Sequence, residues 1–321
     1  MRRLIAGCIV GLSLTAPAHA DAPLDALQWL QRVTAAAQKL TYTGTFVYQS
    51  GAQTETSRIT HLYDAGNELE RIEVLDGSPR EVLRRNDEVK CYLPESRLMI
   101  VEKRGARQSF PALLPASMAG LMDHYSIRKG STGRVAGLES QSILIEPKDE
   151  FRYGHQLWID TQSGLLLKSG LVNERGEILE SFAFTELRIG IPVDRDSLKP
   201  RSSPDDWKVH NVRASEAKGD GGQWQFRTQL PGFRKMSGMR REAQGDMPGM
   251  AHVIFSDGLA AISVFIEPMA GRKDKAEVGH FAMGAINVYK RIVGDHLLVA
   301  MGDVPQAALK RLVDGVEPKR K

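Results

Sequence analysis

Seven of the eight histidines lie beyond the first twenty residues: His61, His124, His155, His210, His252, His280 and His296. No two of them are three to five positions apart, so the local spacing of a zinc site is missing and any metal set would have to be gathered from distant strands. His155, between Tyr153 and Trp158, has the most aromatic company. Acid pairs such as Glu68/Glu70 and Asp205/Asp206 fall on strand-like runs or turns and read as solvated faces, not as a glycosidase pair. No Gly-x-Ser-x-Gly elbow, phosphate loop or Gly-x-Gly-x-x-Gly turn occurs. The expectation is a protein without catalytic residues, metal or cofactor, one that works by binding.

Charge is the next source of chemistry. The 321 residues carry 43 Lys plus Arg against 39 Asp plus Glu, a formal +4. Arg2 and Arg3 precede an apolar run from Leu4 to Leu14, and Ala18-His19-Ala20 places small residues around a cleavage point. This is the anatomy of a secretory signal peptide, and the run is shorter than the roughly 18 residues that span a bilayer. Cleavage after Ala20 removes 20 of the 321 residues, leaving 301, and takes two arginines and no acid, so +4 falls to +2. Ile5-Ala6-Gly7-Cys8 has the look of a lipobox, but only seven residues precede Cys8, too few for a charged region and an apolar run. With Cys8 gone, Cys91 is a single thiol in a strand-like run, and core packing rather than disulfides must hold the fold. A charge of +2 is too mild for nucleic acid.

Positive residues are nevertheless clustered. Arg80, Arg84, Arg85 and Lys90 stand near Lys103, Arg104 and Arg107, and Arg234, Lys235, Arg240 and Arg241 form a second group. Solvated strand faces are the plain reading. Anion capture, by an acidic polypeptide or lipid phosphates, is the sharper one, since guanidinium groups bind such anions bidentately. Phe46, Tyr48, Leu113, Leu114 and Met118 are the apolar candidates for a groove that would hold an acyl chain or an apolar peptide segment.

The elements that must position these residues follow from periodicity. Leu24, Leu27, Leu30, Val33, Ala37 and Leu40 mark one helix. The period then switches to two in Tyr42–Tyr48, and strand-like runs follow at 55–63, 68–75, 88–93 and 98–102, with turns at Asp64-Ala65-Gly66-Asn67 and Asp76-Gly77-Ser78-Pro79. Phe110–Leu121 reads as short helices or an apolar loop. Strands resume with Ile143/Ile145, Leu157/Ile159, 165–171 and 178–189, where Phe182 and Phe184 share a face. Short strands and tight turns favour an antiparallel meander. The pattern lapses into linker chemistry between Pro192 and Gly222. Hairpin signals return at 252–266 and 278–301, Asp303 is placed to cap a last helix, and the tail from Pro318 reads as disordered.

Several segments together resemble a known family. They are Tyr42-Thr43-Gly44-Thr45-Phe46-Val47-Tyr48, then Arg152-Tyr153-Gly154-His155-Gln156-Leu157-Trp158-Ile159-Asp160, Leu230-Pro231-Gly232-Phe233, Asp257-Gly258-Leu259 and Ser263-Val264-Phe265-Ile266-Glu267-Pro268. In order and spacing they are similar to the RseB/MucB proteins, negative regulators of envelope-stress sigma factors of the sigma-E/AlgU type. The resemblance implies a mainly β chain with α+β character: an N-terminal LolA/LolB-like unclosed antiparallel β-barrel with helices, plus a smaller C-terminal α/β domain. The division expected is 1–20 signal peptide, 21–198 N-terminal domain, 199–222 linker and 223–321 regulatory domain. It implies further a periplasmic protein that binds the periplasmic domain of an RseA/MucA-like anti-sigma factor, shields it from regulated proteolysis, and lets go when lipid or lipopolysaccharide binds. No binding residues come with the resemblance. A periplasmic lipid or lipoprotein carrier of LolA type is the alternative, and homo-oligomerisation stays open.

Overall fold

The computed structural model describes residues 25–103, 120–201, 206–212, 223–241, 250–270 and 277–319. The signal-peptide segment, Leu113, Leu114, Met118, Arg104 and Arg107 lie outside the described residues. Helix α1 (Ala26–Lys39) is followed by β1 (Tyr42–Ser50), β2 (Gln53–Asp64), β3 (Asn67–Val74), β4 (Glu81–Arg85), β5 (Glu88–Leu93) and β6 (Leu98–Lys103). A single-turn helix α2 (Leu121–His124) leads into β7 (Tyr125–Val135), β8 (Leu138–Pro147), β9 (Gly154–Asp160), β10 (Leu166–Val172) and β11 (Ile178–Ile189). After a 3-10 turn at Arg195–Leu198 comes β12 (Lys208–Val212). The C-terminal part holds β13 (Trp224–Phe226), β14 (Arg234–Arg241), β15 (Met250–Ser256), β16 (Ala261–Pro268), β17 (Gly279–Met283), β18 (Ile286–Val293), β19 (His296–Gly302), α3 (Gln306–Asp314) and β20 (Val316–Pro318).

Strands β1 to β12 form one sheet in the order β12-β6-β5-β4-β3-β2-β1-β11-β10-β9-β8-β7. Its end strands β12 and β7 are not neighbours, so the curved sheet stays unclosed, as the resemblance implies. Alternation decides what faces inward. Tyr42 and Phe46 on β1, Ile59 on β2, Ile143 and Ile145 on β8, Leu157 and Ile159 on β9, and Phe182 and Phe184 on β11 are all buried in one core. Helix α1 covers that part of the inner face with Trp29, Leu30 and Val33. Its start is fixed by a capping box: Asp25 Oδ1 accepts from the Gln28 amide at 2.7 Å, and Gln28 Oε1 accepts from the Asp25 amide at 2.9 Å. The helix therefore begins at Ala26, and Leu24 lies outside the described residues.

The second body is a six-stranded antiparallel sheet, β14-β15-β16-β19-β18-β17, with a β13–β20 ribbon beside it. Val253, Ile262, Val264, Leu298 and Ala300 turn one face inward, and Leu309, Leu312 and Val313 of α3 seal it.

Several expectations are corrected. Strands β4 and β7 were not foreseen, because neither alternates apolar and polar residues: β4 turns Arg84 inward, and β7 is an edge strand with mostly exposed side chains. The linker 199–222 contains β12, which adds to β6 in parallel register, Lys208 opposite Leu98. An exposed five-residue edge has no core face to leave a periodic trace. Asp303 does not cap α3, whose N-cap is Pro305; its Oδ1 accepts from the Ala261 amide instead. The stretch 278–293 is two strands turning at Gly284-Ala285, and the tail pairs as β20 through Pro318 opposite Trp224. Cys91 is a partly buried free thiol on β5, and burial raises its pKa against the opposing pull of Arg80.

Candidate functional site

Between β1 and its neighbours the described residues leave the inner face open. Phe46, Tyr48, Ile72, Val74, Val82 and Phe182 line a mainly apolar cleft of about 270 Å³, with Ser169 and Glu180 at one side and Arg80 and Glu55 at the other. Arg80 Nη2 pairs with both Glu55 carboxylate oxygens, at 2.9 and 3.0 Å, and is substantially exposed, so an accessible ion pair stands on the rim. Phe46 packs edge-on against Phe182 and Phe184, which makes it wall rather than floor that can move. Tyr48 is half-buried. Burial, and then the Glu180 carboxylate, keep its phenol protonated far above the ordinary range. Phe46 and Tyr48 are thus brought together as a groove would need. Arg80 belongs to the basic cluster read from the sequence, but its place at the groove was not foreseen; Ser169 and Glu180 were missed, because they come from strands whose neighbourhood no local pattern announces.

The arginine candidates separate. Arg84 points inward from β4, is buried, and stands 3.5 Å from Glu70 Oε1. It belongs to a charged inner cluster with His61 and Glu68, whose ring Nε2 and Oε1 are 3.1 Å apart. His61 Nδ1 donates to the Leu40 carbonyl at 2.6 Å, which fixes the ring. His61, Glu68 and Glu70 bring ligand-type atoms within 4.8 Å of one another, a set that only the β2–β3 register assembles. Burial raises the Glu70 pKa, opposed by Arg84 and His61. Arg84 is therefore an internal counter-charge and not a surface anion receptor. Arg85 is exposed at a hollow of about 450 Å³ shared with Lys90, Arg195 and Lys199. In that hollow Lys90 pairs with Glu88 at 3.1 Å and Lys199 with Asp196 at 2.6 Å. Arg240 and Arg241 lie at the end of β14, of which the backbone alone is described. An aromatic hollow of about 510 Å³, with Trp224, Phe226, Phe233 and Phe255 beside Arg234, was not foreseen, although the Trp224/Phe226 alternation was its visible signal.

One of the places where the two bodies meet is built around a buried arginine. Arg152 donates from Nη1 to Asp257 Oδ2 at 2.7 Å, from Nε to Asp149 Oδ1 at 3.0 Å, and from Nη2 to the Pro231 carbonyl. Its guanidinium lies between the rings of Tyr125 and Phe233, 5.3 and 5.1 Å from their centroids. Tyr125 donates its hydroxyl to the same Asp257 oxygen at 2.8 Å. Asp257 Oδ1 meanwhile accepts from the amides of Leu259 and Ala260, which ties the turn before β16 to the seam. Gly232, at φ +77°, lies under the His124 ring, and a Cβ there would come within 2.4 Å of it. Three of the segments quoted for the family resemblance, around Arg152, Pro231-Gly232 and Asp257, therefore converge on one contact. His155, three residues further along on β9, is partly buried, and desolvation lowers its pKa from 6.5 to about 4, with Asp257 pulling the other way.

Comparison with known proteins agrees with this arrangement of two bodies. The MucB/RseB N-terminal domain profile matches residues 25–202, and the MucB/RseB C-terminal domain profile matches residues 218–317. "Sigma factor AlgU regulatory protein MucB" of Pseudomonas aeruginosa is 30% identical, covering 97% of this chain and 96% of its own length. "Sigma-E factor regulatory protein RseB" of Haemophilus influenzae is 27% identical, covering 96% of each. A crystal structure of MucB in complex with MucA(peri) has a TM-score of 0.72 at 28% identity, over 92% of this chain and all of the other. On both domain profiles and near full-length similarity, this chain belongs to the MucB/RseB family.

Proposed function

We propose that this chain is a periplasmic regulator that binds the periplasmic domain of a transmembrane, RseA/MucA-like anti-sigma factor and shields it from regulated proteolysis. Lipid or lipopolysaccharide releases it. The carrying observation is the fold-wide similarity to MucB solved with MucA(peri), which extends over both bodies of the chain. The apolar cleft with Arg80 at its rim supports the release step, because it offers an acyl chain a wall and an anionic headgroup a counter-charge. Export, with the signal peptide cut after Ala20, belongs to the same reading and is tested by the N-terminal sequence of the protein recovered from the periplasm.

The direct test titrates the exported protein with the periplasmic domain of the anti-sigma factor and then adds lipopolysaccharide. Binding that weakens as the lipopolysaccharide rises is expected, and a coupling of about 1–3 kcal/mol would lower affinity roughly 5- to 150-fold. No binding at micromolar concentration, with or without lipopolysaccharide, sinks the reading. The carrier alternative draws on the same cleft. It predicts acyl transfer between membranes and indifference to the anti-sigma domain.

A further inference from the structure

The cleft and the seam between the two bodies are not separate places. Glu180 and Ser169, which close one side of the cleft, also line a small hollow that Leu259 and Asp303 of the C-terminal body complete. Strand β1 makes the same connection two residues at a time. Tyr48 faces the cleft, while Ser50, next on that face, takes the Ala285 amide on its Oγ at 3.3 Å. There the backbones touch: a Cβ on Gly51 would stand 3.1 Å from the Gly284 Cα. The β1–β11 ladder is irregular between Thr45 and Phe46, so the far end of β1 begins at a break in register, where a strand bends most easily.

We propose that Glu180, with β1 from Phe46 to Ser50, is the positioning element through which occupancy of the cleft changes the seating of the C-terminal body. An alkyl chain laid against Phe46, Tyr48 and Phe182 moves Glu180 towards Asp303 and draws Ser50 from Ala285. A ligand shifts a seating only by the difference in its affinity for the two arrangements, and the crowding of two partly buried carboxyl groups that line one hollow supplies that difference. Burial is the main influence on both carboxyl groups and raises the pKa of each. This inference rests on the reading that the cleft takes an amphiphile.

Hydrogen exchange on the full-length exported protein, with and without saturating dodecanoate, tests it. Exchange at the Ala285 and Ala261 amides, which donate to Ser50 and Asp303, should rise about fivefold or more, while Val264 within the C-terminal sheet stays unchanged. Asp303→Asn keeps an acceptor oxygen for Ala261 and removes the charge. It should bind dodecanoate several-fold more tightly and lose the response at Ala285, because coupling is reciprocal. Glu180→Gln should lose the response as well. Dodecanoate binding without any change at Ala285 and Ala261 overturns the coupling and leaves the proposed function standing. A normal response in both variants overturns the route through Glu180. Failure of dodecanoate to bind at all overturns the inference together with the cleft reading.

Discussion

The two sheets solve the same problem in opposite ways. In the C-terminal body every strand of the central set turns apolar residues inward, Val253, Val264 and Ala300 are fully buried, and α3 closes the face with Leu309 and Leu312. In the N-terminal body, among the described residues, α1 covers the half around β1 and β8–β11 with apolar side chains; across β2–β4 the inner face carries the buried polar set His61, Glu68, Glu70 and Arg84, and a cleft lies between the halves. An apolar face must be covered to be stable, whereas a polar or half-covered one can wait for a ligand. The difference assigns rigidity to the smaller body and adaptability to the larger. Communication between them passes through the seam.

The largest effect is expected at the seam. Arg152→Ala strands Asp257 in a dry contact and should cost about 3–5 kcal/mol in urea unfolding. A loss under 1 kcal/mol would mean that the two bodies do not depend on their contact. Next come matched truncations under the two covering helices. Leu309→Ala and Leu30→Ala remove equally buried side chains and should each cost about 2–5 kcal/mol. A markedly smaller loss at Leu30 would sharpen the contrast, showing the larger sheet loosely packed even where it is covered.

The pH dependence is smaller. His155 stays neutral in the folded protein down to about pH 4, while the unfolded chain takes up its proton below about 6.5. Its contribution is fully present above pH 6.5 and is lost as the pH falls to 4, by at most about 3 kcal/mol. His155→Gln should flatten that part of the stability–pH curve; an unchanged slope would show that the ring is not enclosed. The smallest effect belongs to the open edge. Arg128 and Glu146 pair at 2.7 Å but are half-exposed, so Arg128→Ala should leave the urea midpoint of unfolding unchanged within measurement scatter.

What the sequence disclosed follows the same division. Alternation placed Ile143 and Ile145, Leu157 and Ile159, and Phe182 and Phe184 on buried faces because each strand there has one wet and one dry side. It missed β4, where Arg84 takes an inward position that an apolar residue would have marked, and β12, which has no dry side. Phe46 and Tyr48 were legible as groove candidates from one strand. Glu180 was not, and Arg80 was legible only as one of a basic cluster, since their place at the cleft depends on register across several strands. Arg152 lay within a quoted segment, but its role needs Asp257, 105 positions later, and no local spacing encodes that distance.

Cys91 carries a consequence of a different kind. Its thiol is partly covered and its pKa is raised by burial, so at neutral pH very little thiolate is present to attack a disulfide or an oxidant. Each sheet is held by packing alone, and the one sulfur on β5 is kept chemically quiet. Cys91 is the single cysteine among the described residues, so no disulfide between them has to form before the sheets pack, and burial suppresses thiol exchange at this position. Met236 and Met283, by contrast, stand exposed, so an oxidant meets this molecule first at thioethers and not at a thiol.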